Sequence, residues 1–231
     1  MRYAILFCII SSGLFGQVFP MGFISNQQGG TSTVYDGTYA TIGTQNWLDH
    51  DYDVTTYADG TDILFVENAT AWANANASQT GAWCYTEYNS STGIKLYNYY
   101  AINNTSNGGL IPNGWHLPSK AEYETLISFI GGGGVNQALK LMSPNFIDPS
   151  TEQPIGSMAT NDYNFNALRT KYMKTSGVIS GYQANWWTAT ALTSTSAYYF
   201  KTENSNGESY KLNVNYALAF GSGLAIRLIK D

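Results

Sequence analysis

Few side chains in these 231 residues could carry catalysis, so the chemistry is bounded early. There are two histidines, His50 and His116, and two cysteines, Cys8 and Cys84. No HExxH, no Cys/His cluster and no other pair has metal-ligand spacing. No GxSxG elbow occurs, and the glycine run at 131–134 follows a helical pattern instead of preceding one, unlike a phosphate-cradling loop. Asp49, Asp51 and Asp53 alternate like the start of a calcium loop. The sixth position of that loop needs Gly and holds Val54, and the twelfth needs Glu and holds Gly60. Asp49 and Asp51 therefore read better as a solvated acidic edge than as calcium ligands. Glu122 and Glu124 suit a helix cap and a helix surface better than an acid–base pair. The expectation is a protein that recognises a ligand without converting it, with no enzymatic activity and no cofactor.

Composition fits that expectation. Charged residues are 12% of the chain and aromatics 15%, with 18 Tyr and 6 Trp. A disordered chain lacks such aromatic content. The net charge is −5 with no basic run, which argues against nucleic acid and anionic membranes as partners. Residues 1–16 carry Arg2, an apolar run at 4–10 and a small-residue end, the three regions of a signal peptide. That run is too short to span a bilayer, so no membrane insertion is expected after processing. Cleavage would leave Cys84 without a disulfide partner, a small hydrophobe between Trp83 and Tyr85. If retained, the segment would be an apolar arm for docking into a larger assembly, with 17–32 as linker or docking arm and 33–231 as one domain.

The best-specified local element is GWHLPSKAEYETLISFIG at 114–131. Ser119 with Glu122 makes a capping box, and Tyr123, Leu126, Ile127 and Ile130 form one apolar stripe. Gly131 stands where a left-handed C-cap belongs. Trp115, His116, Ser119 and Glu122 are expected to be structural keystones, with His116 bonded to loop backbone. The pattern predicts a second helix over 135–142, a strand with a turn at Gly43 over 40–47, and a hairpin at Asp59-Gly60 within 54–63. It predicts a surface loop over 66–80, an aromatic block at 83–100, an irregular excursion at 143–157 and a compact loop at 161–168. Strand-like runs follow at 185–190, 197–202, 209–214, 216–220 and 224–229, with a turn at Asn206-Gly207.

Several separated motifs agree with one family. They are IGTQNWL (42–48), TTYADGTDI (55–63), GAWCYTEY (81–88), KLYNYYA (95–101), IPNGWHLPSKAEYETL (111–126), ATNDYNFNAL (159–168), NWWTAT (185–190) and AIRLIKD (225–231). The chain resembles the Fibrobacter succinogenes major paralogous domain, FISUMP, over about residues 33–231. The resemblance implies an exported domain of Bacteroidetes and related bacteria. It also implies an α+β fold similar to C-type lectin-like domains and formylglycine-generating enzymes, with two helices, short antiparallel strands, long loops and both ends of the chain in one sheet. Trp186 and Arg227 of its matching motifs join the expected keystones. The cysteine pair of the formylglycine-generating relatives is missing. Against the calcium loop of C-type lectins, Glu152-Gln153-Pro154 and Asn161-Asp162 depart in residue order and lack the Trp.

Two function classes remain. The first is a secreted or cell-surface adhesion domain for a surface glycan or protein, using Asn161, Asp162, Tyr182, Trp187, Tyr198, Asn206, Tyr210 and Asn215; its Tyr, Asn and Ser content resembles a paratope. The second is a structural or receptor-binding subunit of a virion or surface fibre, a homo-oligomer held by the N-terminal arm and placed on the virion surface.

Overall fold

A glycine turn starts the fold. Gly43, at φ 63°, folds β1 (Tyr39–Ile42) onto β2 (Gln45–Leu48), so that Ile42 faces Gln45 and Tyr39 faces Leu48. The computed structural model describes residues 35, 37–88, 90, 92–148, 150–181, 183–204 and 209–231. The expected signal peptide, linker and Asn206-Gly207 turn lie outside them. The described residues belong to the compact unit Ser32–Asp231.

After β2, Thr56 bridges Asp62 around Gly60, a tight turn without flanking strands. Then come β3 (Leu64–Phe65), α1 (Ala69–Ala77), β4 (Ala82–Tyr85), β5 (Lys95–Asn98), α2 (Tyr99–Ile102), β6 (Trp115–His116) and α3 (Lys120–Phe129). The chain continues through β7 (Tyr172–Met173), β8 (Ile179–Ser180), β9 (Asn185–Thr193), β10 (Ser196–Asn204), β11 (Tyr210–Ala219), β12 (Gly223–Leu224) and β13 (Ile229–Lys230). Among the described residues the strands form sheets in the orders β1-β2-β13-β6, β11-β10-β9 and β3-β4-β5-β12-β7-β8. In the first, Ile229 faces Trp47 on one side and His116 on the other, so the opening hairpin and the last strand share a sheet. The protein is mixed α+β.

Four elements differ from expectation. Residues 66–80 are not a loop: α1 begins where the Asn68 side chain accepts from the Ala71 amide, and it buries Trp72 and Ala75. Alanine's helix propensity outweighs the asparagines, and Trp72 anchors the helix by donating to Gly221 O at 2.9 Å. The second helix, expected over 135–142, is only a 3-10 turn, Gln137–Lys140, opened by Asn136 at φ 61°. With α2, a single turn capped by Asn98, three α-helices stand among the described residues where two were expected. The runs at 209–214 and 216–220 are one strand, β11. A bulge breaks its alternation: the partners of Tyr199 and Lys201 are Tyr216 and Asn213, one residue too many on β11. The run at 224–229 divides between two sheets as β12 and β13.

The helix α3 forms as its ends dictate. Ser119 Oγ accepts from the Glu122 amide at 3.2 Å, and Glu122 Oε2 accepts from the Ser119 amide at 2.7 Å. At the far end, Gly132 N–H reaches Ile127 O and Gly131 N–H reaches Ser128 O, a Schellman closure with Gly131 at φ 105°. Tyr123, Leu126 and Ile130 are buried. The Tyr123 ring stacks on Phe200 at 4.4 Å, but its hydroxyl finds no hydrogen-bond partner among the described residues. Tyr123→Phe removes this desolvated group and is expected to raise the unfolding free energy by about 1 kcal/mol, read by urea denaturation.

The chain builds two cores, and β9 runs between them. Adjacent side chains on a strand point to opposite faces. Trp186 joins a core with Trp47, Tyr123, Phe165 and Phe200, while Trp187 joins another with Tyr97, Tyr99, Leu224 and Ile226. Both tryptophans are fully buried.

Candidate functional site

Arg227 is fully buried and holds the first core together electrostatically. Its Nη2 and Nε donate to Asp51 Oδ1 at 2.6 and 3.1 Å, and its Nη1 donates to Leu48 O and Phe165 O. The guanidinium lies 4.3 Å from the Phe165 ring centre. Trp186 Nε1 donates to the same Asp51 oxygen at 2.7 Å. Asp51 Oδ1 is thus committed to structure. Asp49 accepts from Thr38 at 2.8 Å and pairs with His50 at 2.7 Å. Among the described residues no group of three His, Cys, Asp or Glu is placed to hold a metal ion.

His116 departs from its expected role as a partner of backbone. Its Nε2 lies 2.8 Å from Glu122 Oε1 and its Nδ1 2.6 Å from Asp231 Oδ1. Two carboxylates against both ring nitrogens require both to donate, which is the imidazolium form. Burial alone pulls the His116 pKa down; the hydrogen bonds and charges of Asp231 and Glu122 outweigh it and raise it above 6.5. For Glu122, burial raises the pKa, and the Ser119 amide, His116 and the Ser119 hydroxyl bring it below 4.5. A raised histidine pKa stabilises the fold fully below 6.5 and loses that contribution as pH rises through the folded value. A lowered Glu pKa stabilises it above 4.5 and loses that contribution as pH falls. Stability should therefore peak between these limits, and His116→Gln should flatten the decline on the alkaline side, as measured by urea midpoints from pH 4 to 9.

The residues expected to bind ligand scatter. Trp187 is buried, with its Nε1 donating to Tyr97 O at 2.8 Å. Tyr210 is buried too, its hydroxyl bonded to Asp148. Both are core residues, because β9 and β11 have no solvent face at those positions. Tyr198 is half-buried, with Lys120 Nζ 5.5 Å above its ring. Asn215 is exposed and lines a groove between α3 and β11. Asn161 is spent on its own loop, accepting from the Asn166 amide at 3.0 Å and donating to Asn166 Oδ1 at 2.7 Å, while Asp162 is exposed beside it. Glu152 makes two bonds to Arg169. Tyr182 and Asn206 lie outside the described residues.

A different surface does gather open polar and aromatic groups. One cleft of about 450 Å³ is lined by Asp49, His50, Asp53, Lys95, Asn166 and Leu168, with Asp51 at its back. A second, of about 440 Å³, is lined by Thr55, Asp62, Ile63, Leu64, Phe65 and Trp83. Lys95 of the first cleft reaches toward Trp83 of the second: its Nζ is 3.5 Å from Asp53 Oδ2, 5.4 Å over the Trp83 ring and 5.9 Å over Tyr85. Pairing of β4 with β5 sets Lys95 opposite Tyr85, and β3 lies on the outer edge of that sheet with Leu64 and Phe65 exposed. Along the rim of the first cleft, the Tyr35 hydroxyl is 3.0 Å from His50 Nε2, extending the contact between His50 and Asp49.

The sequence model of the Fibrobacter succinogenes major domain matches residues 40–230. The chain belongs to that family. No curated protein and no solved structure matches it. The Fibrobacter succinogenes major domain of this chain takes in β1 from Ala40 and every later element, so Arg227, His116, Glu122 and both clefts lie inside it, with Asp231 one residue beyond. The family name assigns no activity, and the clefts belong to this chain's own geometry. Sequence reading missed them because their residues come from five separate stretches, 49–55, 62–65, 83, 93–95 and 166–168, although the aromatic block at 83–100 already contained Trp83 and Lys95.

Proposed function

We propose that this is a non-catalytic recognition domain with a C-type lectin-like fold, exported to the bacterial surface and binding a glycan or protein ligand through the paired clefts. The observation that carries this is the band from His50 through Asp53 and Lys95 to Trp83 and Phe65, two clefts of small-ligand size linked by the Lys95 ammonium over Trp83. The shared sheet of the opening hairpin and β13 supports the fold reading. Support for a non-catalytic role comes from the array of Tyr35, His50 and Asp49. It has the order of a nucleophile, base and orienting acid, but burial and then the charges of Asp53 and Asp49 raise the Tyr35 pKa above 10.0, away from a usable phenolate. The Cys84 thiol is buried and pushed up in pKa by that burial, so it is no nucleophile either.

The test is to pass the purified protein over immobilised glycans and extracts of surface protein, and to follow any captured ligand for chemical change. Capture of an unaltered ligand that is lost with Lys95→Ala is the expected result. Turnover of the ligand, or capture that ignores Lys95, would sink the reading.

A further inference from the structure

We infer that the Phe65 end of this band binds a neutral sugar chain, with a pyranose ring laid on Phe65 and its hydroxyls bonded to Asp62 and Thr55. The inference rests on the recognition reading above and names its ligand class. A pyranose has C–H groups on its ring face and hydroxyls around its edge, and this surface offers the complement. Phe65 is 39% exposed, the largest open ring in the cleft. Its orientation is set beforehand: the ring centre lies 4.4 Å from Trp83 and 5.8 Å from Tyr85, and the Trp83 indole N–H is held by Ile63 O at 3.2 Å. A fixed aromatic surface costs little conformational entropy to use. Exposed Asp62 and Thr55 line the same cleft, and their oxygens accept hydroxyl protons.

Charge separates a neutral sugar from the other candidates. Asp62 is the one charged side chain among the residues lining this cleft, and Lys95 is paired with Asp53, in a chain of net charge −5, so a uronate or other acidic sugar is repelled. A ligand cation would look for the faces of Trp83 and Tyr85, but the Lys95 ammonium already occupies that position. A purely apolar ligand would desolvate the Asp62 carboxylate without giving it a partner. Neutral hydroxyls satisfy that carboxylate while the C–H face covers Phe65.

The experiment uses isothermal titration of the whole chain with cellohexaose, mannohexaose and chitohexaose, and with hexagalacturonate and acetylcholine as acidic and cationic probes. Tryptophan fluorescence from Trp83 gives a second signal. At least one neutral hexasaccharide should bind, and Phe65→Ala should weaken it tenfold or more. Phe129→Ala, which removes a ring 54% exposed outside both clefts, should leave binding unchanged. Near-ultraviolet circular dichroism checks that both variants are folded. Neutral sugar that binds Phe65→Ala as well as the parent overturns the assignment, as does binding only of hexagalacturonate or acetylcholine. If all five probes fail while an unaltered protein ligand is captured through Lys95, the sugar inference falls and the recognition reading stands. If that capture fails too, both fall.

Discussion

Arg227→Met is expected to lower the unfolding free energy by about 3–5 kcal/mol, because it strands a carboxylate inside the protein. Asp51 is 11% exposed at its side chain and would keep only the Trp186 indole N–H of its present core donors. Two backbone oxygens, Leu48 O and Phe165 O, would lose the guanidinium at the same time. Against a total of about 5–15 kcal/mol for an ordinary domain, that is enough to threaten folding. Arg227→Lys should not rescue it, since one ammonium cannot replace a planar fork that meets Asp51, Leu48 and Phe165 and also stacks on the Phe165 ring. The double variant Asp51→Asn/Arg227→Met should be more stable than Arg227→Met alone, because the stranded charge is gone. Urea denaturation of the three variants decides it. A loss below 1 kcal/mol for Arg227→Met would mean that the ion pair is not what orders the first core.

How much of the fold and of the clefts was legible in the sequence depended on how local each cause is. The capping box of α3 and the glycine closure at Gly131 are set by residues a few positions apart, so the sequence shows them whole. Hairpin β1–β2 announces itself through Gly43 for the same reason. The helix α1 was hidden because Asn and Ala alternate along it and its buried face rests on just Trp72 and Ala75. The partners of His116 were hidden differently: Asp231 comes from 115 residues away, brought in by the pairing of β13 with β6. The paired clefts are the extreme case, assembled from residues of 49–55, 62–65, 83, 93–95 and 166–168. Polar alternation would reveal such a surface only on a strand with one wet side, and β4 is nearly all buried.

Trp187 sits on the half of β9 where that wet side is missing. An aromatic residue in an Asn- and Thr-rich strand looks like a paratope residue, yet the first four residues of β9 have a core on each face, so the alternation there carries no information about exposure. Trp187→Ala should therefore destabilise the protein by about 3–5 kcal/mol, the usual cost of removing a large buried ring. It also leaves Tyr97 O, deep in the second core, without its indole donor. Trp187→Phe keeps most of the packing and loses that hydrogen bond, so a smaller cost of about 1–3 kcal/mol is expected. Below its own melting transition, Trp187→Ala should bind the ligand of the clefts as the parent does, because the residue lines neither of them. Stability and affinity measured on the same samples separate the two accounts. A stable Trp187→Ala protein that has lost its ligand would put Trp187 back on a binding surface, whereas an unstable protein with unchanged affinity places its contribution in the second core, under Tyr99 and beside Leu224.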